Sequence, residues 1–203
     1  IETMPDFVDR IIIVNDCSRD RTKENVIECI EKNTTPYIEI KNITDNVKWD
    51  KYSHADFVLQ NVNKEELSLF VPSEVYNKNP ERERIILINH LKNGGVGAAI
   101  ARGYKWCKDY GIDCIAVMAG DGQMDPSELY TICKPVVFDE IDYSKGNRLI
   151  HRSALLVIPK LRFLGNSVLS ILTKIASGYW HISDTQTGYT AISKKALNAI
   201  RVS

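Results

Sequence analysis

The chain has 203 residues, 44% of them apolar, with 26 basic and 26 acidic side chains. That composition supports one packed domain and excludes a disordered chain, and the balanced charge gives no global argument for nucleic-acid binding. The five cysteines form no C-x-x-C pair, which argues against a zinc site, and several lie in apolar runs as in a reduced cytosolic protein. No apolar run of about 18 residues predicts a bilayer span, and no signal-peptide pattern is visible.

In chain order, IETMPDF reads as the tail of a helix, and a start at Ile1 rather than Met creates the expectation of a preceding native segment. RIIIVND (Arg10–Asp16) is a β-branched run ending in turn residues, the pattern of a buried parallel strand. Val26, Ile27 and Ile30 then recur at helical spacing, with Asp20 placed to cap. YIEI is a further strand candidate. Asn42–Asn79 is polar with isolated aromatics and is read as an inserted subdomain or lid, or else a surface excursion, with helix around Lys64–Phe70. RIILINH (Arg84–His90) is a second strand. NGGVGAAIARGYKWCKDYG turns into a helix ending near Gly111, CIAVMAG is a third strand, and DPSELYTICKPVV opens another helix with Asp125 as cap and Pro126 in the first turn. DYSKGNR gives a fourth strand and its exit. The alternation predicts a single α/β domain with a mainly parallel sheet.

Ligands of open α/β sheets sit beyond the carboxyl ends of the strands. Asp16, the Asn93–Gly97 turn, Asp121 with Gln123, and Arg148 all fall there. Asp121 and Gln123 offer a carboxylate and an amide oxygen on a tight turn, which suits Mg²⁺ or Mn²⁺ shared with water and phosphate, and equally suits a hydrogen-bonded turn. The glycines of NGGVGAAIARG allow backbone N–H groups to approach an anion, or allow close helix–strand packing; Gly95 and Gly97 match part of a dinucleotide fingerprint that lacks its third glycine. From Tyr143 to Ser183 there is no acidic residue, while Lys145, Arg148, Arg152, Lys160, Arg162 and Lys174 alternate with apolar stretches. The 145–178 segment is therefore either a surface for an anionic membrane or lipid phosphate, or a core helix with a solvated basic face. Asp184 and Gln186 precede Gly188, as a general base or as a capped turn. His54, His90, His151 and His181 show no metal spacing and receive no role.

Taken together and in this order, the motifs resemble the family-2 glycosyltransferases of the GT-A fold, particularly the dolichol-phosphate mannosyltransferase-like branch. VNDCSRDRT is similar to V-D-D-G-S-x-D-x-T, which implies nucleotide contacts at Asp16 and Ser18. NGGVGAAIARGY resembles N-x-G-x-G-x-A and adds Asn93 and Gly97; KGNR resembles G-x-R and adds Arg148. AGDGQMDP is similar to D-x-D-x-Q-x-x-P, implying a metal at Asp121 and Gln123, and SDTQTGY resembles D-x-x-x-G-[FY], implying that Asp184 is the base or acceptor-site group. The chain departs from the pattern at Asn15, Cys17, Ala119 and Thr190, in the size of the Asn42–Asn79 stretch, and in lacking the opening strand with its P-x-Y-N-E-like turn. The resemblance implies an inverting transfer from a UDP- or GDP-sugar to a polyprenyl-phosphate or glycan acceptor, with Mg²⁺ or Mn²⁺, at the cytoplasmic face of a membrane and in the service of envelope polysaccharide. A non-catalytic nucleotide-binding domain, or an NAD-dependent oxidoreductase built on Gly95 and Gly97, are the competing expectations.

Overall fold

The computed structural model describes residues 1–34, 37–42, 54–146, 171–173, 175, 176, 178 and 188–200. Contacts group the chain into two compact units, Ile1–Ile115 with Lys194–Ser203, and Ala116–Ser193.

The first unit is built on β1 (Ile11–Asn15), β2 (Ser73–Val75) and β3 (Ile85–His90), ordered β1-β3-β2. β1 runs parallel to β3, from Ile11 opposite Ile85 to Asn15 opposite Asn89. The β-branched runs explain both strands: Ile86, Leu87 and Ile88 are fully buried. Burying side chains of this size is worth roughly 1.5–3 kcal/mol each. β2 pairs antiparallel with β3 because a short connection turns the chain back. Helix α1 (Thr22–Lys32) presents Val26 and Ile30 to a core shared with Ile11, Ile85 and Leu87. The capping position falls on Arg21 rather than the expected Asp20, which sits one residue earlier, its Oδ1 accepting the Thr22 N–H at 3.0 Å and the Thr22 hydroxyl at 2.5 Å. Helix α3 (Gly95–Asp109) stops just before Gly111.

One expectation in this unit is corrected. Tyr37–Ile40 forms no strand; Tyr37 and Ile38 are exposed, and Ile40 N–H meets Glu81 O at 3.2 Å without a ladder. The expected helix around Lys64–Phe70 is present as the end of a longer helix, α2 (His54–Ser68). Ionic and amide contacts tie it to α3. Lys105 of α3 is 1% exposed, with Nζ 2.6 Å from Asp109 Oδ1 and 3.3 Å from Glu66 Oε2 of α2, and it also donates to Asn63 Oδ1. An unpaired ammonium buried this deeply would be strongly destabilising, so the pairing is what permits the burial. Burial pushes the Asp109 carboxyl up, against the pull of Lys105. Residues 43–53 lie outside the described set.

The second unit contains the end of β4 (Cys114–Val117), α4 (Leu129–Val137), β5 (Tyr143–Lys145) and β6 (Thr190–Ser193); the sheet is ordered β4-β6-β5. β5 and β6 are antiparallel, Tyr143 opposite Ile192. The sheets are thus more mixed than the mainly parallel expectation, within the α/β class. Leu129, Ile132 and Val136 of α4 and all of β6 are buried. After β6 the chain enters α5 (Lys194–Ala199), whose Leu197 is 1% exposed.

Candidate functional site

In the first unit the β1–β3 register sets the geometry. Asn15 Nδ2 donates to Asn89 Oδ1 at 3.0 Å, and one residue further on Asp16 meets His90. Asp16 Oδ1 accepts from His90 Nδ1 at 2.7 Å and from Gly94 N–H at 2.8 Å; Oδ2 accepts from Gly95 N–H at 2.7 Å. Asn93 Nδ2 donates to the Asp16 carbonyl at 3.2 Å, and Ser18 N–H to Asn15 Oδ1 at 3.2 Å. Desolvation raises the Asp16 pKa, but the bonds from Gly94, His90 and Gly95 outweigh it and hold the carboxyl below its ordinary range. A carboxylate is an acceptor, so His90 Nδ1 donates to Asp16, and among the described residues the buried His90 Nε2 has no hydrogen-bond partner.

This clamp corrects the phosphate-cradle reading of Gly94 and Gly95, because Asp16 takes their N–H groups. Gly94 also permits a close approach: a Cβ there would lie 2.5 Å from Val71 Cγ2. Gly97 differs: it is exposed, and a Cβ would meet nothing within 4 Å. Cys17, where the motif has glycine, takes a left-handed φ of 57°.

In the second unit, Asp121 and Gln123 lie exposed on the turn after β4. Asp121 Oδ1 accepts the Gln123 N–H at 3.0 Å, and Gly122 carries the positive φ of 74° that the turn needs. Ala119 N–H faces Met124 Sδ at 3.2 Å. Asp125 acts as the predicted cap, accepting the Ser127 N–H at 2.9 Å, and those bonds lower its pKa. Among the described residues no group of three His, Cys, Asp or Glu side chains forms a metal cage. One carboxylate with spare lone pairs and one amide oxygen instead fit a hard cation that keeps its waters and shares substrate phosphates.

The structure therefore joins Asp16 to Asn93 and, through Asn15, to Ser18, and sets Asp121 beside Gln123. Arg148, Asp184, Gln186 and most of the 145–178 segment lie outside the described residues. Two contributors went unassigned in the sequence. His90 holds Asp16 across 74 positions, so local spacing carries no signal of it. Tyr189, buried at 4% exposure, donates its hydroxyl to the Asp125 carbonyl at 2.9 Å, and its own carbonyl accepts the Gly146 N–H at 2.8 Å.

Residues 73–201 match glycosyl transferase family 2. The chain is 32% identical over 117 residues to the UDP-N-acetylglucosamine–dolichyl-phosphate N-acetylglucosaminyltransferase of Methanococcus voltae, covering 58% of this chain and 46% of that protein. It is 31% identical over 120 residues to an uncharacterized protein of Methanocaldococcus jannaschii, covering 59% and 49% respectively. The chain spans about half the length of these curated relatives. A family match over more than half of the sequence, ordered as the motifs are, settles the class: the chain belongs to glycosyl transferase family 2, transferases of the α/β GT-A fold.

Proposed function

We propose that the chain carries out inverting transfer of a sugar from a UDP- or GDP-sugar to a polyprenyl-phosphate or glycan acceptor. The observation that carries this reading is the Asp121 carboxylate, exposed at the end of β4 with one oxygen engaged by Gln123 N–H. Asp121 and Gln123 would hold Mg²⁺ or Mn²⁺, which when bound neutralises charge on a departing diphosphate. Asp16, Ser18, Asn93, Gly97 and Arg148 form the proposed nucleotide set. The open space at Gly97 supports backbone approach by a ligand, and the clamp on Asp16 supports a fixed rather than adaptable contact.

In the proposed step, an acceptor oxygen forms a bond to the anomeric carbon while the bond to the nucleoside diphosphate breaks, the diphosphate leaving with the electron pair. A hydroxyl acceptor gives its proton to Asp184; a phosphate acceptor is already ionised and makes less demand on a base. The M. voltae relative is named for UDP-N-acetylglucosamine and dolichyl phosphate, which puts UDP and a lipid phosphate first in order of trial. No described helix is long and apolar enough to cross a membrane. Ile171, Leu172 and Ile175 are helical and exposed within the basic 145–178 stretch, which supports peripheral contact with an anionic cytoplasmic membrane face.

The test is thermal unfolding with UDP or GDP, each with and without Mn²⁺. A ligand at about 100 times its Kd adds roughly 2.7 kcal/mol. Expected is stabilisation by one nucleoside diphosphate that requires Mn²⁺ and disappears in Asp121→Ala. Stabilisation that ignores Mn²⁺ and survives Asp121→Ala overturns the metal assignment, and no response to either nucleotide favours a non-catalytic member of the family.

A further inference from the structure

The turn that carries Asp121 and Gln123 is exposed, and Gly122 supplies its positive φ without strain. Its upstream part is tied by Ala119 N–H to Met124 Sδ and by Gln123 N–H to Asp121 Oδ1. Its downstream end is tied by Tyr189, whose hydroxyl reaches the Asp125 carbonyl at 2.9 Å. Tyr189 is itself fixed. Its carbonyl accepts the Gly146 N–H at 2.8 Å, and Gly146 lies so close that a Cβ there would come within 3.3 Å of that carbonyl oxygen. At the neighbouring Gly188, a Cβ would lie 3.6 Å from Met124 Cε. One buried residue thus links, by its hydroxyl and its backbone carbonyl, three segments that are far apart in sequence: the acidic turn, the strand exit at Gly146, and the start of β6.

We propose that Tyr189 is a positioning residue for the metal–diphosphate site, its hydroxyl fixing the turn that presents Asp121 and Gln123. The proposal rests on the metal role proposed above for those two residues. Burial pushes the Tyr189 phenol up to about 12, with Glu128, Cys133 and Asp125 adding to the rise, so the group stays a hydrogen-bond donor at neutral pH. The substitution Tyr189→Phe keeps the ring and removes the donor.

The experiment titrates Mn²⁺ into the full chain with UDP or GDP present, reading unbound Mn²⁺ by electron paramagnetic resonance. Wild type, Tyr189→Phe and Ser193→Ala are compared. Ser193 donates to Asp142 Oδ1 at 2.8 Å in the same unit, so Ser193→Ala removes a hydrogen bond of that unit without touching the turn. The expected result is Mn²⁺ affinity about five-fold weaker in Tyr189→Phe, the value of one neutral hydrogen bond, and unchanged in Ser193→Ala. Equal affinity in wild type and Tyr189→Phe overturns the proposal while leaving the metal assignment standing. Equal weakening in both variants reduces Tyr189 to a general stability role and also overturns it. A wild-type chain that takes up no Mn²⁺ with either nucleotide overturns the metal reading and the proposal together.

Discussion

Asp16 and Asp121 each follow a strand, and each looks like a ligand-bearing acid in the sequence. The structure gives them different environments. Asp16 is embedded: its side chain is 19% exposed and both oxygens are engaged, by a histidine and two backbone N–H groups. Asp121 is exposed, with one oxygen accepting a neighbouring N–H. The first carboxylate has much of its hydrogen-bonding capacity spent on fixing the entry to α3. Among the described residues the second has no further hydrogen-bond partner, so most of its capacity stays open. A strand-end acid can be held by the fold or left open, and its hydrogen-bond inventory separates those two states better than its motif does.

Removing the embedded carboxylate should have the largest effect. Asp16→Ala should cost about 1.5–3 kcal/mol in urea unfolding, the range for bonds to a charged acceptor. Asp121→Ala should leave the thermal midpoint within about 2 °C, as for an exposed position without partners in the core. Equal losses would refute the assignment of roles. The same contrast has a pH signature. The folded-state pKa of Asp16 is depressed, so its contribution is complete above the ordinary aspartate value of about 4 and is lost as pH falls through the lower folded value. Asp16→Asn should flatten the acid limb of the stability–pH curve, and an unchanged limb would place the proton linkage elsewhere.

A smaller effect separates the glycines of the same turn. Gly97→Ala fits without contact and replaces a helix-interior glycine, so it should raise stability by up to about 1 kcal/mol while weakening nucleoside diphosphate binding, read by calorimetry. Unweakened binding would remove Gly97 from the nucleotide set. The smallest expected change is at Cys17. Its left-handed φ of 57° is unfavourable for a side chain, so Cys17→Gly should shift the urea midpoint upward by the equivalent of about 0.5–1 kcal/mol. A downward shift would mean that the thiol contributes more than the strain costs.

What the sequence made legible was local. Isoleucine runs marked β1 and β3, turn residues marked their ends, and Asp125 caps as its neighbours suggested. What it hid depends on register and distance. His90 becomes a partner of Asp16 because Asn15 pairs with Asn89, an alignment set by the whole β1–β3 ladder. Tyr189 reaches Asp125 across 64 positions. YIEI has the composition of a strand yet lacks a ladder, and alternation alone cannot supply one. α2 begins ten residues before the helix expected around Lys64, and the contacts of Asn63 and Glu66 with Lys105 are of a kind that hydrophobic spacing does not register.

The buried Lys105 carries a practical consequence. While α2 stays docked, the Lys105 amine is enclosed by Glu66, Asp109 and Asn63 and is sheltered from acylating reagents that reach surface lysines such as Lys32. Its rate of chemical labelling then reads the opening of α2 directly, residue by residue, as hydrogen exchange does for amides. The ion cluster that holds the polar helix in place is thereby also a clock for how often that helix lets go.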